Sequence, residues 1–525
     1  MPGTEPTATW TPATGAYNAA VDMVDRNVAE GLGAKVAFID PKRQLTYAAL
    51  AEACNRFANV LPRLGIARER RIALIMLDTV DFPIVCWGAI KAGGVPVPLN
   101  TLLPNEALAY MIEDARADAV VIAGELYERA APMLDAVAAK RHLHVAVTGA
   151  APNARVLELD ALIATGEPVA KTADTRADEV AFWLYSSGST GVPKGTRHLH
   201  ASLMATAKLF AQGVLGITSS DVVFSAAKLF FAYGLGNGMS FPMSAGATTI
   251  LLPDRPTPDS VIATMRAHNP TIFCGVPTLF AAMLAGPQLA RGAGSQRLRL
   301  CTSAGEALPE DIGQRFQKST GVEIIDGIGS TEMLHIFVSN RPGQVRYGSS
   351  GTPVPGYEAK LLDDDGAPVP PGEIGELVIK GPSAAEGYWL QREKSQKTFR
   401  GQWTHTGDKY RIDPDGFYIY CGRTDDMFKV SGIWVSPFEV ESALITHKAV
   451  LEAAVVGKED NDGLMKPKAF VVLKPGFAAD VALLEELKSH VKATAGAWKY
   501  PRWIEARSDL PKTATGKIQR FKLRQ

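Results

Sequence analysis

Residues 71–99 read RIALIMLDTVDFPIVCWGAIKAGGVPVPL, and the architecture is already present there in miniature. Arg71–Leu77 is a continuous apolar run, short enough for a strand and apolar on both faces, as a strand buried from two sides must be. Asp81–Ala92 follows with helical spacing and stops at Gly93-Gly94, where a helix can end without Cβ strain. VPVPLN then reads as entry into a loop, because Pro96 and Pro98 cannot donate to a ladder.

Working outward, the same unit recurs. Ala119–Ala123 (AVVIA) reads as another strand, and so do Val180–Tyr185, Thr248–Leu252 and Thr271–Gly275. Strands alternating with helical stretches predict an α/β fold, with parallel sheets covered by helices. No fixed-period repeat is visible. The first sixteen residues, rich in Thr, Pro and Ala, read as a tail. After about Gly351 the texture turns antiparallel: Ala359–Leu362 and Gly375–Lys380 flank an Asp-rich turn. Beyond Gly422-Arg423-Thr424-Asp425-Asp426 a short α+β pattern follows, with strands at Ala453–Gly457 and Lys468–Leu473 and a helix near Leu483–Ala493. The expected division is a large N-terminal domain, 1–424, of helix-covered sheets plus a β subdomain, and a small α+β C-terminal domain, 425–525.

Composition narrows the function. The chain has 525 residues, 46% hydrophobic and 21% charged, enough to bury a large core. Lys+Arg and Asp+Glu both number 55, so nothing in the charge favours nucleic acid or an anionic membrane. The five cysteines (Cys54, Cys86, Cys274, Cys301, Cys421) are scattered and odd in number, without CxxC, which argues for a reducing compartment and against a zinc ribbon. The first basic residue is Arg26, and no apolar stretch reaches about 18 residues. The expectation is a cytoplasmic enzyme without membrane or nucleic-acid partners.

Tyr185–Gly195, YSSGSTGVPKG, carries the strongest local chemistry. It follows an apolar strand and gathers three glycines, several hydroxyls and Lys194. Glycines let backbone N–H groups approach a phosphate, hydroxyls add donors and the ammonium adds charge. The spacing is not that of a Walker A loop. His198-Leu199-His200 places two histidines together, but no Cys, Asp or Glu completes a metal site, so the pair reads as structural. No GxSxG elbow and no HExxH occur.

SSGSTGVPKG resembles the signature loop of the adenylate-forming superfamily, which includes acyl-CoA synthetases, aryl-CoA ligases, adenylation domains and firefly-type luciferases. Further matches follow in order. Ser303–Leu308 (SAGEAL) resembles the adenine-binding turn, Asp326–Glu332 (DGIGSTE) the TE motif and Trp403–Asp408 (WTHTGD) the TGD motif. Gly422–Gly432 (GRTDDMFKVSG) resembles the hinge motif and Pro511–Lys517 (PKTATGK) the C-terminal lysine motif.

The resemblance implies roles, each with a physical reason. Ser186, Ser187, Gly188, Ser189, Thr190, Gly191 and Lys194 would meet the phosphates of ATP. Gly305 and Glu306 would meet the adenine, and Asp326, Gly327 and Ile328 would bind ATP and AMP beside it; relatives usually carry an aromatic residue, which stacks on adenine, where this chain has Ile328. Thr331 would contact the AMP phosphate. Glu332 would have a magnesium-linked role, since Mg²⁺ prefers hard oxygens. Asp408 would clamp the ribose diol by accepting two hydrogen bonds, assisted by Arg423. Lys517 would be catalytic, its ammonium neutralising charge as a carboxylate attacks the α-phosphate. Taken alone it would read as a solvated lysine in a basic tail. Asp425 is the hinge position. Rotation there would bring Lys429, Ser431 and Gly432 to a pantetheine arm, glycine permitting close passage.

The implied acid pocket is lined by Phe231, Ala232, Tyr233, Gly329, His335 and Ile336. Bulky, flat walls suit a short aromatic acid rather than a fatty chain. FFAYGLGN with GIGSTEMLHIF is similar to benzoate-type aryl-CoA ligases. The implied reaction joins benzoate and CoA at the expense of ATP, with Mg²⁺, through an acyl-AMP. Hydroxy- and aminobenzoates remain alternatives, as does loading of a free carrier protein. A non-catalytic member of the fold would be expected to lose Lys517, Glu332 or Lys194, and all three are present; nothing argues for oxygen chemistry. A monomer or homodimer is expected, and acetylation of Lys517 by a lysine acetyltransferase would remove the charge the chemistry needs.

Overall fold

The structure, a computed structural model, describes residues 15–187, 192–286, 289, 294–430, 433–461, 463–496, 498–512 and 518–524. Two parallel sheets dominate. One has the order Val95–Pro98, Arg71–Ile75, Ala119–Ile122, His144–Val147, Leu157–Glu158. The other has nine strands. Its parallel centre runs Leu300–Ser303, Ile272–Gly275, Val222–Ser225, Thr248–Ile250, and Ile324–Gly329 and Val36–Ile39 flank it. Antiparallel strands close both of its edges.

Both sheets are buried on two faces, which explains the unbroken apolar runs. Ile72 and Leu74 pack into one core with Val223, Ile272, Cys274 and Trp87. The alternate residues Ala73 and Ile75 pack into a second. Phe224 and Phe273 face a third. The helix Asp81–Lys91 lies in the shared layer and is buried from Phe82 to its end, so the sheets are held by a common apolar filling rather than a polar seam.

One expectation fails. VPVP is not a loop but the strand Val95–Pro98, fully buried and paired parallel to Arg71–Ile75. The reason is register. The N–H groups of Val95 and Leu99 donate to Arg70 O (2.8 Å) and Leu74 O (2.9 Å), while the two proline nitrogens alternate with them and face away. The strand is at the sheet edge, where the missing donors have no partner to disappoint.

The hairpin Val180–Ser187 and Pro193–Leu199 forms a small antiparallel sheet with Gly387–Tyr388. Lys194 thus stands on a strand opposite Ser186, not in the loop itself. The β subdomain pairs Glu358–Leu362, Gly375–Lys380, Trp403–Ile412 and Tyr418–Arg423. The small C-terminal domain has its own core, formed by Val450–Glu459, Met465–Leu473 and Trp503–Ala506 with helices Pro437–Ile445 and Val481–Ala495. The start of the expected tail, residues 1–14, lies outside the described residues; Ala16 bridges to Arg176. Among the described residues no helix is long and apolar enough to cross a membrane.

Candidate active site

Three of the singled-out residues converge here, two of them on Tyr388, which sequence reasoning missed. Strand pairing carries Ser186 and Lys194 out of the hairpin side by side. After the strand Ile324–Gly329 the chain turns, with Met333 N–H donating to Ser330 Oγ (3.2 Å), and this turn presents Glu332. Glu332 Oε1 accepts from Tyr388 Oη at 2.8 Å and from Ser186 Oγ at 3.4 Å. Lys194 Nζ donates to Tyr388 Oη at 3.2 Å and lies 4.2 Å from its ring centroid. Burial lowers the Lys194 pKa and the nearby Glu332 charge opposes it, so this ammonium is poorly hydrated and predisposed to an anionic ligand. Thr331 is half-buried in the same turn.

The expected nucleotide residues flank this cluster. Leu300–Ser303 ends at the SAGEAL turn, where Gly305 has φ +96°. Asp326 is buried beside it, with Leu308 N–H directed at Oδ2 (3.5 Å) and Oδ1 without a partner among the described residues. Burial pushes its carboxyl up to about 8. Gly327 lies on the same strand, and Ile328 is half-buried against the core. Arg423 Nη1 donates to Asp408 Oδ1 and to Thr406 O, both at 3.0 Å. The Asp408 charge raises the Arg423 pKa, and Glu332 adds to that effect.

The residues expected to line the acid pocket gather around His335. Its ring lies 4.3 Å from Phe241 and 5.5 Å from Phe210 and Tyr233, centroid to centroid. Only 3% of His335 is exposed, and burial pushes its pKa down to about 3, so the imidazole is neutral. Nε2 lies 3.3 Å from the Tyr233 carbonyl, which can only accept, so the proton sits on Nε2. That leaves Nδ1 an acceptor, buried and without a partner among the described residues. Tyr233 Oη is fixed to Thr302 Oγ1 at 2.7 Å. Ala232 and Phe231 start this wall, Phe231 meeting Phe230 edge-on. Gly329 and Gly236 bound the histidine: a Cβ would lie 2.6 Å from His335 O at the first and 2.4 Å from His335 Cδ2 at the second. Ile336 is packed into the core below.

At the expected hinge, Arg524 Nη2 donates to Asp425 O at 3.1 Å and to the Asp426 carboxylate. Lys429 is exposed on the strand Phe428–Val430. Gly188, Ser189, Thr190, Gly191, Ser431, Gly432 and Lys517 lie outside the described residues, as does the Ser187 side chain. His198 and His200 are buried; His198 stacks on Phe182 at 5.0 Å and His200 Nδ1 accepts from Ala19 N–H at 3.1 Å. No group of three or more His, Cys, Asp or Glu able to hold a metal ion occurs among the described residues. Tyr388, Phe210, Phe241 and Thr302 escaped the sequence reading. Their only signal was proximity after folding, which a motif does not carry.

Residues 25–389 match the model of the AMP-binding enzyme family, and residues 439–517 that of the AMP-binding enzyme C-terminal domain. A benzoate–CoA ligase of Thauera aromatica is 56% identical over 97% of this chain and 96% of its own. A 4-hydroxybenzoate–CoA/benzoate–CoA ligase of Rhodopseudomonas palustris is 53% identical over 97% and 94%. The crystal structure of a benzoate CoA ligase from Burkholderia xenovorans LB400 superposes with a TM-score of 0.90 at 52% identity, covering 97% of this chain and 100% of that one. The converging hairpin, the turn that bears Glu332 and the Asp408–Arg423 pair thus sit in a chain whose sequence and fold match over 97% of its length, and the chain belongs to the AMP-binding, adenylate-forming enzyme family.

Proposed function

We propose that this chain is an ATP-dependent benzoate–CoA ligase. The observation that carries the reading is the ring of flat side chains around neutral His335, directly following the turn that holds Glu332. A slot walled by Tyr233, Phe210 and Phe241 suits a planar ring, and an uncharged imidazole does not trap the carboxylate at the wrong end.

The chemistry runs in two steps. A benzoate oxygen attacks the α-phosphorus of ATP; the bond to the β-phosphate oxygen breaks and pyrophosphate leaves. The CoA thiolate then attacks the benzoyl carbonyl, and AMP leaves with the bonding electrons of the anhydride. The mixed anhydride turns a poor electrophile into a good one. Ser186, Ser187, Gly188–Gly191 and Lys194 hold the polyphosphate, and Thr331 the α-phosphate. Gly305, Glu306, Asp326, Gly327 and Ile328 receive the adenine, and Asp408 with Arg423 the ribose. Lys517 neutralises charge in the first step. Turning at Asp425 withdraws it and brings Lys429, Ser431 and Gly432 to the pantetheine arm.

Mg²⁺ suits the donor set. It takes one or two carboxylates and keeps waters and phosphate oxygens. Both contacts to Glu332 fall on Oε1, so Oε2 is the oxygen that would hold the ion brought by ATP. Once bound, Mg²⁺ offsets phosphate charge.

The orphan Nδ1 of His335 favours a second reading of the acid. An acceptor buried beside an aromatic slot would take a ring hydroxyl or amino hydrogen, so a hydroxy- or aminobenzoate is the runner-up. Pyrophosphate release with Mg-ATP, with and without CoA, across benzoate, hydroxy- and aminobenzoates, cyclohexanecarboxylate, acetate and octanoate separates them. Benzoate is expected to lead, sustained only with CoA. Preference for octanoate or acetate would overturn the aromatic slot, and turnover that a holo-carrier protein sustains but CoA does not would overturn the thiol assignment.

A further inference from the structure

Tyr388 joins two charged residues of different motifs. Its short strand pairs with Pro193–Leu199 so that Tyr388 lies opposite Thr196, two residues from Lys194 and on the same face. Its N–H donates to Ser395 Oγ at 3.0 Å, its ring lies 5.4 Å from Phe399, and only 4% of it is exposed. The phenol therefore occupies one place. Its single proton goes to Glu332 Oε1 at 2.8 Å, and its oxygen accepts from Lys194 Nζ at 3.2 Å. Thr398 Oγ1 lies 3.4 Å from the same oxygen. Burial, with the Glu332 charge second, raises the phenol's pKa far above its ordinary value, so it keeps the proton at any working pH.

An ammonium and a carboxylate this near in a partly buried site attract strongly. Paired directly, each would satisfy the other and lose most of its pull on a ligand. A phenol between them accepts from one and donates to the other, and keeps both charges separate. It also occupies Oε1 only.

We propose that Tyr388 is a positioning residue for the phosphate-transfer step: its phenol holds Lys194 and Glu332 apart, so that both engage the polyphosphate of ATP. The inference rests on the adenylation reading above. Tyr388→Phe keeps the ring, its contact with Phe399 and the cation–π contact, and deletes only the oxygen.

The test compares wild type and Tyr388→Phe in three assays, with melting temperature as a check on folding: benzoate-dependent ATP–pyrophosphate exchange, thioester formation from supplied benzoyl-AMP and CoA, and calorimetric titration with ATP alone. Loss of a charge-assisted hydrogen bond and collapse of the pair is expected to slow exchange about tenfold or more and weaken ATP about fivefold. The thioester step should stay within about twofold, as no phosphate is transferred there. Wild-type exchange in the variant, or equal losses in both half-reactions with a lowered melting temperature, overturns the proposal. A wild-type enzyme that shows no exchange contradicts the adenylation reading instead. The ATP titration then still decides: unchanged affinity in Tyr388→Phe overturns the positioning role, and weakened affinity supports it.

Discussion

Asp408 and Arg423 face each other across two antiparallel strands, with Arg423 Nη1 3.0 Å from Asp408 Oδ1. The carboxylate is buried to 10% exposure while the guanidinium stays 46% exposed, so the pair offers a fixed anion at the edge of the site. A ribose diol needs such an acceptor.

Asp408→Asn keeps the shape and removes the charge. Arg423 retains the Thr406 carbonyl at 3.0 Å, so the fold is expected to persist. The KM for ATP should rise about tenfold, the cost of turning charge-assisted hydrogen bonds into neutral ones. The KM for benzoate should not move. Steady-state kinetics with each substrate varied in turn checks both.

Gly236→Ala tests the acid slot from behind. Its Cβ would lie 2.4 Å from His335 Cδ2 and 2.7 Å from Nε2, and the ring has Phe241 at 4.3 Å to stop it retreating. The imidazole must tilt into the slot. Overpacking of this kind costs about 1–3 kcal/mol, so benzoate kcat/KM should fall about tenfold or more while the KM for ATP holds. Equal kinetics for variant and wild type on benzoate would place His335 away from the acid.

The pH dependence of stability separates two buried groups of opposite sign. Burial pushes His198 down to about 3, below its value in the unfolded chain. Between pH 4 and 6, about the span in question, the unfolded state then binds the extra proton, and this group's contribution rises with pH. Burial pushes Asp78 up to about 6, against the opposing pull of Lys228 and the Leu229 N–H. There the folded state binds the extra proton, and its contribution is lost as pH rises through the same window. His198→Phe should therefore shift the slope of stability against pH downward, and Asp78→Asn upward, each by at most about 1.4 kcal/mol per pH unit. Urea unfolding midpoints across that window measure both slopes.

Much of this was legible in the sequence, and the limits have physical causes. Arg71–Ile75 and Ala119–Ile122 announce themselves because strands buried on both faces are apolar throughout. Val95–Pro98 did not, because proline is read as a breaker unless edge position and register are known. Ser186, Lys194 and Glu332 were found through their motifs and do converge. Tyr388 was not, being 194 positions from Lys194 and 56 from Glu332, joined to them only by strand pairing. The sequence marks His335 only as a bulky wall; its neutrality and tautomer come from burial and from the Tyr233 carbonyl, and no sequence pattern encodes either.

On the proposed reading, one site makes an acyl-adenylate and then hands it to a thiol. Rapid quench of the enzyme with Mg-ATP and labelled benzoate, first without CoA and then chased with it, tests this most directly. The proposed two-step reaction gives one equivalent of enzyme-bound benzoyl-AMP with matching pyrophosphate, converted on the chase to benzoyl-CoA and AMP. Formation of ADP and phosphate, or benzoyl-CoA appearing without any adenylate before it, would contradict it.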